Sequence, residues 1–154
     1  MKGRNFLRGL TLTSLALSAL VVVTALVPAA HVRLPVRQRT TWDSVYTDEQ
    51  ATRGQAAYNR SCARCHLESL GGADESPALT GTAFLSNWNG LTLGELHARV
   101  RRSMPSDDPG TFGPQLITDV MAYMLRVNGF PAGKTDLTHE GDALNGVQFS
   151  AARP

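Results

Sequence analysis

Apolar residues recur at helical spacing in three stretches of the chain. The first predicts a helix over residues 48–59, where Thr47 can cap the N-terminus and Gln50 can complete a capping box. The second predicts a helix over residues 92–102, and the third predicts a helix over residues 114–128. The apolar stripe of the third helix consists of Leu116, Ile117, Val120, Tyr123, Met124 and Val127.

The sequence lacks strand patterns: no run alternates between apolar and polar residues for long enough to predict a sheet, and no segment repeats. We therefore expect an all-α fold. Gly54, inside the first helix, costs about 1 kcal/mol of helix propensity relative to alanine. A close contact with another helix would explain this glycine, and Tyr58 lies four residues later on the same face.

A leader occupies residues 1–30. Three basic residues come first, and an uncharged apolar run follows over residues 10–30. Small residues at the end of the run suit cleavage by a leader peptidase after Ala29 or Ala30. The 21 residues of the run also match the roughly 20 that cross a bilayer. A cleaved signal peptide is the favoured interpretation and an uncleaved membrane anchor is the alternative. Both place the remaining chain outside the cytoplasm.

The rest of the chain divides into three parts. Residues 31–44 form a linker. Within it, residues 31–41 contain three arginines and little that could pack, which predicts a solvated tether. Residues 45–130 form the domain, and residues 131–154 form a C-terminal extension with scattered apolar residues. The sequence leaves the role of the extension open, and wrapping around the domain is one arrangement.

The charge of the chain excludes one class of partner. Residues 1–30 hold three of the 15 basic residues and none of the 13 acidic ones, which leaves 12 against 13 and a formal net charge of −1. The sequence pI near 8.8 is therefore mostly a property of the leader. Because binding to nucleic acid requires a basic patch on the folded domain, we expect no nucleic-acid partner.

The chain has only two cysteines, and both lie in the run Cys62-Ala63-Arg64-Cys65-His66. This C-x-x-C-H run is the attachment signature of a c-type haem. Each thiol can add to one haem vinyl group to form a thioether, and the imidazole of His66 can then bind the iron. The motif predicts one covalently attached haem c and its iron.

Three other interpretations of the cysteines are weaker. A dithiol redox centre belongs in a βαβ context, and no strand pattern precedes this one. A structural zinc site needs four ligands, but the remaining histidines form no H-x₃₋₅-H pair. A disulfide between Cys62 and Cys65 would leave His66 unexplained.

A second iron ligand is predicted at Met104, which lies 38 residues after His66. Pro105 disfavours helical backbone at the residue before it, so Met104 should lie in an extended loop after the middle helix. A thioether in such a loop can reach the open face of an iron.

Three other residues compete with Met104. Met121 and Met124 lie on the last helix, where methionine commonly fills the core. His97 would give bis-histidine ligation, but on the middle helix we expect it to be exposed or to form a local hydrogen bond. An open or water-bound position is the remaining alternative.

With these motifs the chain resembles the class I cytochromes c. It is most similar to the single-haem cytochromes that serve bacterial oxidoreductases such as quinoprotein alcohol dehydrogenases. The resemblance covers about residues 45–130. Its motifs are Gly54-x-x-x-Tyr58, Cys62-x-x-Cys65-His66, Pro77-Ala78-Leu79-Thr80-Gly81, Phe84, Trp88, Met104-Pro105 and Ala122-Tyr123-Met124-Leu125. It implies a small class I cytochrome c fold with three to five helices around one covalent haem.

The resemblance also implies roles for single residues. The carbonyl of Pro77 should accept a hydrogen bond from His66. Phe84 and Trp88 should line the haem pocket, with the indole N–H of Trp88 near a propionate. The face that contains Gly54 and Tyr58 should cross the last helix.

The ligand pair of His66 and Met104 predicts an electron carrier, because it fills both axial positions of the iron. The leading hypothesis is a one-electron carrier from a periplasmic or membrane dehydrogenase to a downstream cytochrome or oxidase. One alternative is a haem enzyme or gas sensor with a labile sixth site, and another is a dedicated haem subunit of a larger oxidoreductase. We expect a periplasmic location, with membrane contact only if the leader is uncleaved.

Overall fold

A computed structural model of the protein describes residues 37–153. In this range the elements are β1 (Arg39–Thr40), α1 (Asp48–Ser61), α2 (Ala63–His66), α3 (Gly81–Trp88), α4 (Leu93–Ser103), α5 (Pro114–Val127), α6 (Gly141–Asn145) and β2 (Val147–Gln148). The expected all-α fold is confirmed, with six helices in the described range rather than three to five. The leader, its cleavage sites and residues 31–36 lie outside the described residues.

The central contact of the fold is the crossing of α1 and α5 at Gly54. A β-carbon on Gly54 would overlap the backbone carbonyl of Asp119 and would lie 3.1 Å from the β-carbon of Tyr123. One turn further along α1, the rings of Tyr58 and Tyr123 lie 5.4 Å apart between centroids. The helix contact predicted for Gly54 is therefore present, and glycine is needed there for the close approach.

Only half of the capping box predicted for α1 forms. The backbone N–H of Gln50 donates to the hydroxyl of Thr47 at 3.0 Å, as predicted. The side chain of Gln50 is fully buried and pairs instead with Leu137, donating to its carbonyl at 2.9 Å and accepting from its N–H at 2.6 Å. The reason is that a residue of the C-terminal extension satisfies both ends of this buried amide.

The prediction of a solvated tether is wrong for residues 39–41. Strand β1 pairs in parallel with β2 from the extension. Next to it, Thr41 is fully buried, and the centroids of the Trp42 and Phe130 rings lie 4.7 Å apart. The partner strand lies more than 100 residues away in sequence, so the local composition of the linker could not reveal it.

The C-terminal extension wraps around the domain and enters its core. Four of its apolar residues are buried, namely Leu137, Leu144, Val147 and Phe149. Within residues 37–153, no helix is both long enough and apolar enough to cross a bilayer.

Candidate functional site

A cavity of about 620 Å³ lies between the C-x-x-C-H segment, α3, α4 and α5. Its wall is mostly apolar, with contributions from Leu96, Val100, Phe112, Leu116 and Val120. All seven residues that the sequence assigned to a haem site line it, namely Cys62, Cys65, His66, Pro77, Phe84, Trp88 and Met104. Residues separated by up to 42 positions in sequence are thus brought to one chamber.

The single turn of α2 gathers the C-x-x-C-H residues on the cavity wall. Cys62 ends α1 by donating its N–H to the carbonyl of Tyr58 at 2.8 Å. The carbonyl of Cys62 then accepts the N–H groups of Cys65 at 3.1 Å and His66 at 3.0 Å. No disulfide joins Cys62 to Cys65, so both sulfurs are available for thioether bonds.

Burial raises the pKa of the Cys62 thiol to about 11. A reactive dithiol centre requires a thiolate, which a lowered thiol pKa provides. The environment of Cys62 does the opposite, and this argues against the dithiol interpretation.

Within residues 37–153, no group of three or more His, Cys, Asp and Glu side chains lies close enough to hold a metal ion.

His66 is fixed in one orientation by Pro77. Its side chain is buried, with 7% of the residue exposed, and its Nδ1 lies 2.8 Å from the Pro77 carbonyl oxygen. A carbonyl can only accept, so this contact places the proton on Nδ1 and leaves the Nε2 lone pair free for a metal. Such a hydrogen bond also raises the basicity of a ligating imidazole. This is the contact that the family resemblance implies.

Met104 lies at the C-terminal end of α4 with extended backbone, φ −125° and ψ 145°. The extended conformation agrees with the restriction imposed by Pro105, and the half-buried side chain lines the cavity. Met124 also lines the cavity from α5, whereas Met121 is fully buried outside it. Two thioethers therefore reach the chamber, and only Met104 lies in an irregular segment.

The side chain of His97 is buried. It is 8% exposed, it is not part of the cavity wall, and its Nε2 is buried without a hydrogen-bond partner among the described residues. Of the two alternatives expected for His97, exposure is wrong, because the face of α4 next to Leu96 is covered. Its position outside the cavity also weakens the bis-histidine alternative.

The buried position of His97 predicts a pH dependence of stability. Burial lowers the pKa of His97 below its ordinary value of 6.5, although the backbone of Pro114 opposes this and Arg101 and His139 reinforce it. The unfolded chain therefore binds a proton at a pH where the folded protein does not. The free energy of unfolding should fall as the pH drops through 6.5 and level off below the folded pKa.

Denaturant unfolding over this pH range, with wild type and His97→Gln compared, checks the prediction. The variant should lose part of the slope of unfolding free energy against pH. The exposed His139→Gln is the control: it removes only the smallest contribution to the lowered pKa of His97 and should keep most of the slope. An identical slope in wild type and His97→Gln would contradict the assignment.

An ion pair that the sequence did not predict joins two segments that line the cavity. Arg64 donates to both carboxylate oxygens of Asp107 at 2.6 Å. It connects the C-x-x-C-H segment to the loop after Met104, and it lowers the pKa of Asp107. Of the three exposed arginines on α4, only Arg99 lines the cavity; it is a cation available to the carboxylates of a bound ligand.

The residues of this chamber fit a haem c. Two cysteine sulfurs that form no disulfide lie together with an imidazole whose tautomer is fixed, and a thioether reaches the same space. The apolar wall suits a porphyrin, and Arg99 suits its propionates. None of the seven predicted residues points away from the site.

One comparison with known proteins, the match to a family model, agrees with this chemistry. Residues 49–124 match the model of a family described as cytochrome c oxidase, cbb3-type, subunit III. Among solved structures, the chain is similar to the sulfane dehydrogenase SoxCD from Paracoccus pantotrophus, with 23% identity and a TM-score of 0.48. That match covers 70% of this chain and 61%, less than two thirds, of the other. A search of curated proteins found no match.

Proposed function

Because the chain is a class I c-type cytochrome with one covalently bound haem c, we propose that it carries single electrons between redox proteins. The haem supplies the Fe(III)/Fe(II) couple, and the protein sets its potential, access and docking. The observation that carries the proposal is that His66 and Met104 line one cavity. If both bind the iron, no axial position remains for a substrate.

The side chains of the chamber divide this work. Pro77 holds the His66 ring for ligation through its 2.8 Å hydrogen bond. The soft thioether of Met104 favours the reduced iron and so raises the potential. The apolar residues of the wall limit access of water, which tunes the potential further.

We propose a dehydrogenase as the electron donor and a downstream cytochrome or terminal oxidase as the acceptor. The resemblance to cytochromes that serve quinoprotein-type dehydrogenases supports the donor. The description of the matching family as a subunit of a cbb3-type oxidase supports an acceptor of the oxidase class.

We propose that the domain functions in the periplasm. The basic start and apolar run of residues 1–30 support export by a signal peptide, and covalent haem attachment also takes place outside the cytoplasm. Cell fractionation followed by N-terminal sequencing tests this. A new N-terminus near residue 30 in the periplasmic fraction would support cleavage, full-length chain in the membrane would favour the anchor, and cytoplasmic haem protein would refute the location.

A potentiometric titration and a turnover assay on the purified protein test the electron-carrier proposal. We expect one reversible one-electron transition, rapid reduction and reoxidation by small one-electron reagents, and no turnover of hydrogen peroxide. Sustained peroxide turnover would instead place a substrate on the iron and favour a haem enzyme.

A further inference from the structure

Residues 147–151 of the extension lie between two other segments and bond to both. On one side, the N–H of Phe149 donates to the carbonyl of Leu91 at 2.7 Å, and its carbonyl accepts the N–H of Gly90 at 2.8 Å. On the other side, the indole N–H of Trp42 donates to the carbonyl of Ser150 at 2.9 Å. The extension therefore holds the loop that joins α3 to α4 directly after the cavity residue Trp88.

The side chain of Phe149 lies behind the cavity wall. It is fully buried and is not itself part of the wall. Its ring meets that of Phe84 edge-on at 5.8 Å between centroids and that of Phe130 at 5.3 Å. Phe84 does line the cavity, and its ring lies 6.4 Å from that of Trp88. Phe149 thus supports the aromatic part of the wall from outside.

We propose that Phe149 is a positioning residue for the haem chamber, acting through Phe84, and that the extension is therefore a part of the electron-transfer site. This rests on the proposed haem site, although not on the identity of the redox partners. Close packing transmits the effect, because a ring removed behind Phe84 leaves a void into which Phe84 can shift. The edge-on contacts of aromatic rings add an orientational preference that an aliphatic side chain lacks.

The variants Phe149→Ala and Phe149→Leu test the proposal on the full-length, haem-loaded protein. Leu144→Ala is the matched control, since Leu144 is also a buried residue of the extension but lies on α6 and has no ring that could contact Phe84 as Phe149 does. Each protein is measured by circular dichroism in the main haem absorption band, by redox titration and by denaturant unfolding.

We expect Phe149→Ala and Leu144→Ala both to be less stable than the wild type. Only Phe149→Ala should change the circular dichroism of the haem band and lower the equilibrium constant for reduction of the haem severalfold. Phe149→Leu should show a smaller change in the same direction, and it keeps the test decisive if the alanine variant does not fold. Wild-type dichroism and potential in both Phe149 variants would overturn the proposal. This result is independent of peroxide turnover in the wild type, which bears on the electron-carrier proposal alone.

Discussion

Replacing Met104 by alanine should open the iron to carbon monoxide and lower its reduction potential. Met104 lines the cavity from an extended segment at the end of α4. A thioether stabilises Fe(II), so its loss should shift the couple toward the oxidised form and leave one axial position free. The ferric variant should lose the sulfur-to-iron charge-transfer band, and the reduced variant should bind carbon monoxide readily.

Two methionine-to-leucine variants are the matched controls for this experiment. Met124 lines the same cavity from α5, and Met121 is fully buried outside it. Leucine has nearly the same volume as methionine, so such changes usually cost less than about 1.5 kcal/mol. Both variants should keep the charge-transfer band. If Met124→Leu loses the band while Met104→Ala retains it, then Met124 is the ligand.

Replacing Cys62 and Cys65 together by serine should abolish covalent attachment of the haem. A serine hydroxyl cannot form the thioether, although His66 would still be present. After acid–acetone extraction and denaturing electrophoresis, the wild-type polypeptide should retain haem stain and the double variant should have none. Because a bound group stabilises only the folded state, the variant should also accumulate poorly.

Arg64→Ala is the control for the cysteine experiment. Arg64 lies inside the same motif but is exposed and pairs with Asp107 at the surface. This variant should retain its haem stain. Complete extraction of haem from the wild-type polypeptide would contradict covalent attachment.

The three long helices were predictable because each is long enough for apolar residues to recur at helical spacing over several turns. Helices α1, α4 and α5 begin and end within two residues of the predicted limits. Helix α3 has only eight residues, and Phe84 is its one buried residue. Two turns are too short for a helical period of apolar residues to be recognised. Helix α2 is the single turn of the haem motif.

The residues of the candidate site were predictable because their signal is local. The C-x-x-C-H run is contiguous, and Met104 was identified from the proline that follows it. The assignment of Pro77, Phe84 and Trp88 to the site depended instead on the family resemblance. All of these residues could be assigned without knowing which distant segments are in contact in the fold.

The unpredicted features all depend on contacts between distant segments. The ion pair of Arg64 with Asp107 spans 43 positions. The packing of Phe149 behind Phe84 and the burial of His97 depend on how the chain covers surfaces far away in sequence. Composition described the extension as scattered apolar residues, and only the fold shows which of them reach the core.

The most direct test of the central claim is the addition of carbon monoxide to the reduced wild-type protein at neutral pH. A closed axial position, occupied by a side chain of the protein itself, predicts an optical spectrum that stays unchanged. Rapid formation of a carbon monoxide complex would contradict the electron-carrier account, and it would indicate a haem enzyme or gas sensor with an accessible iron.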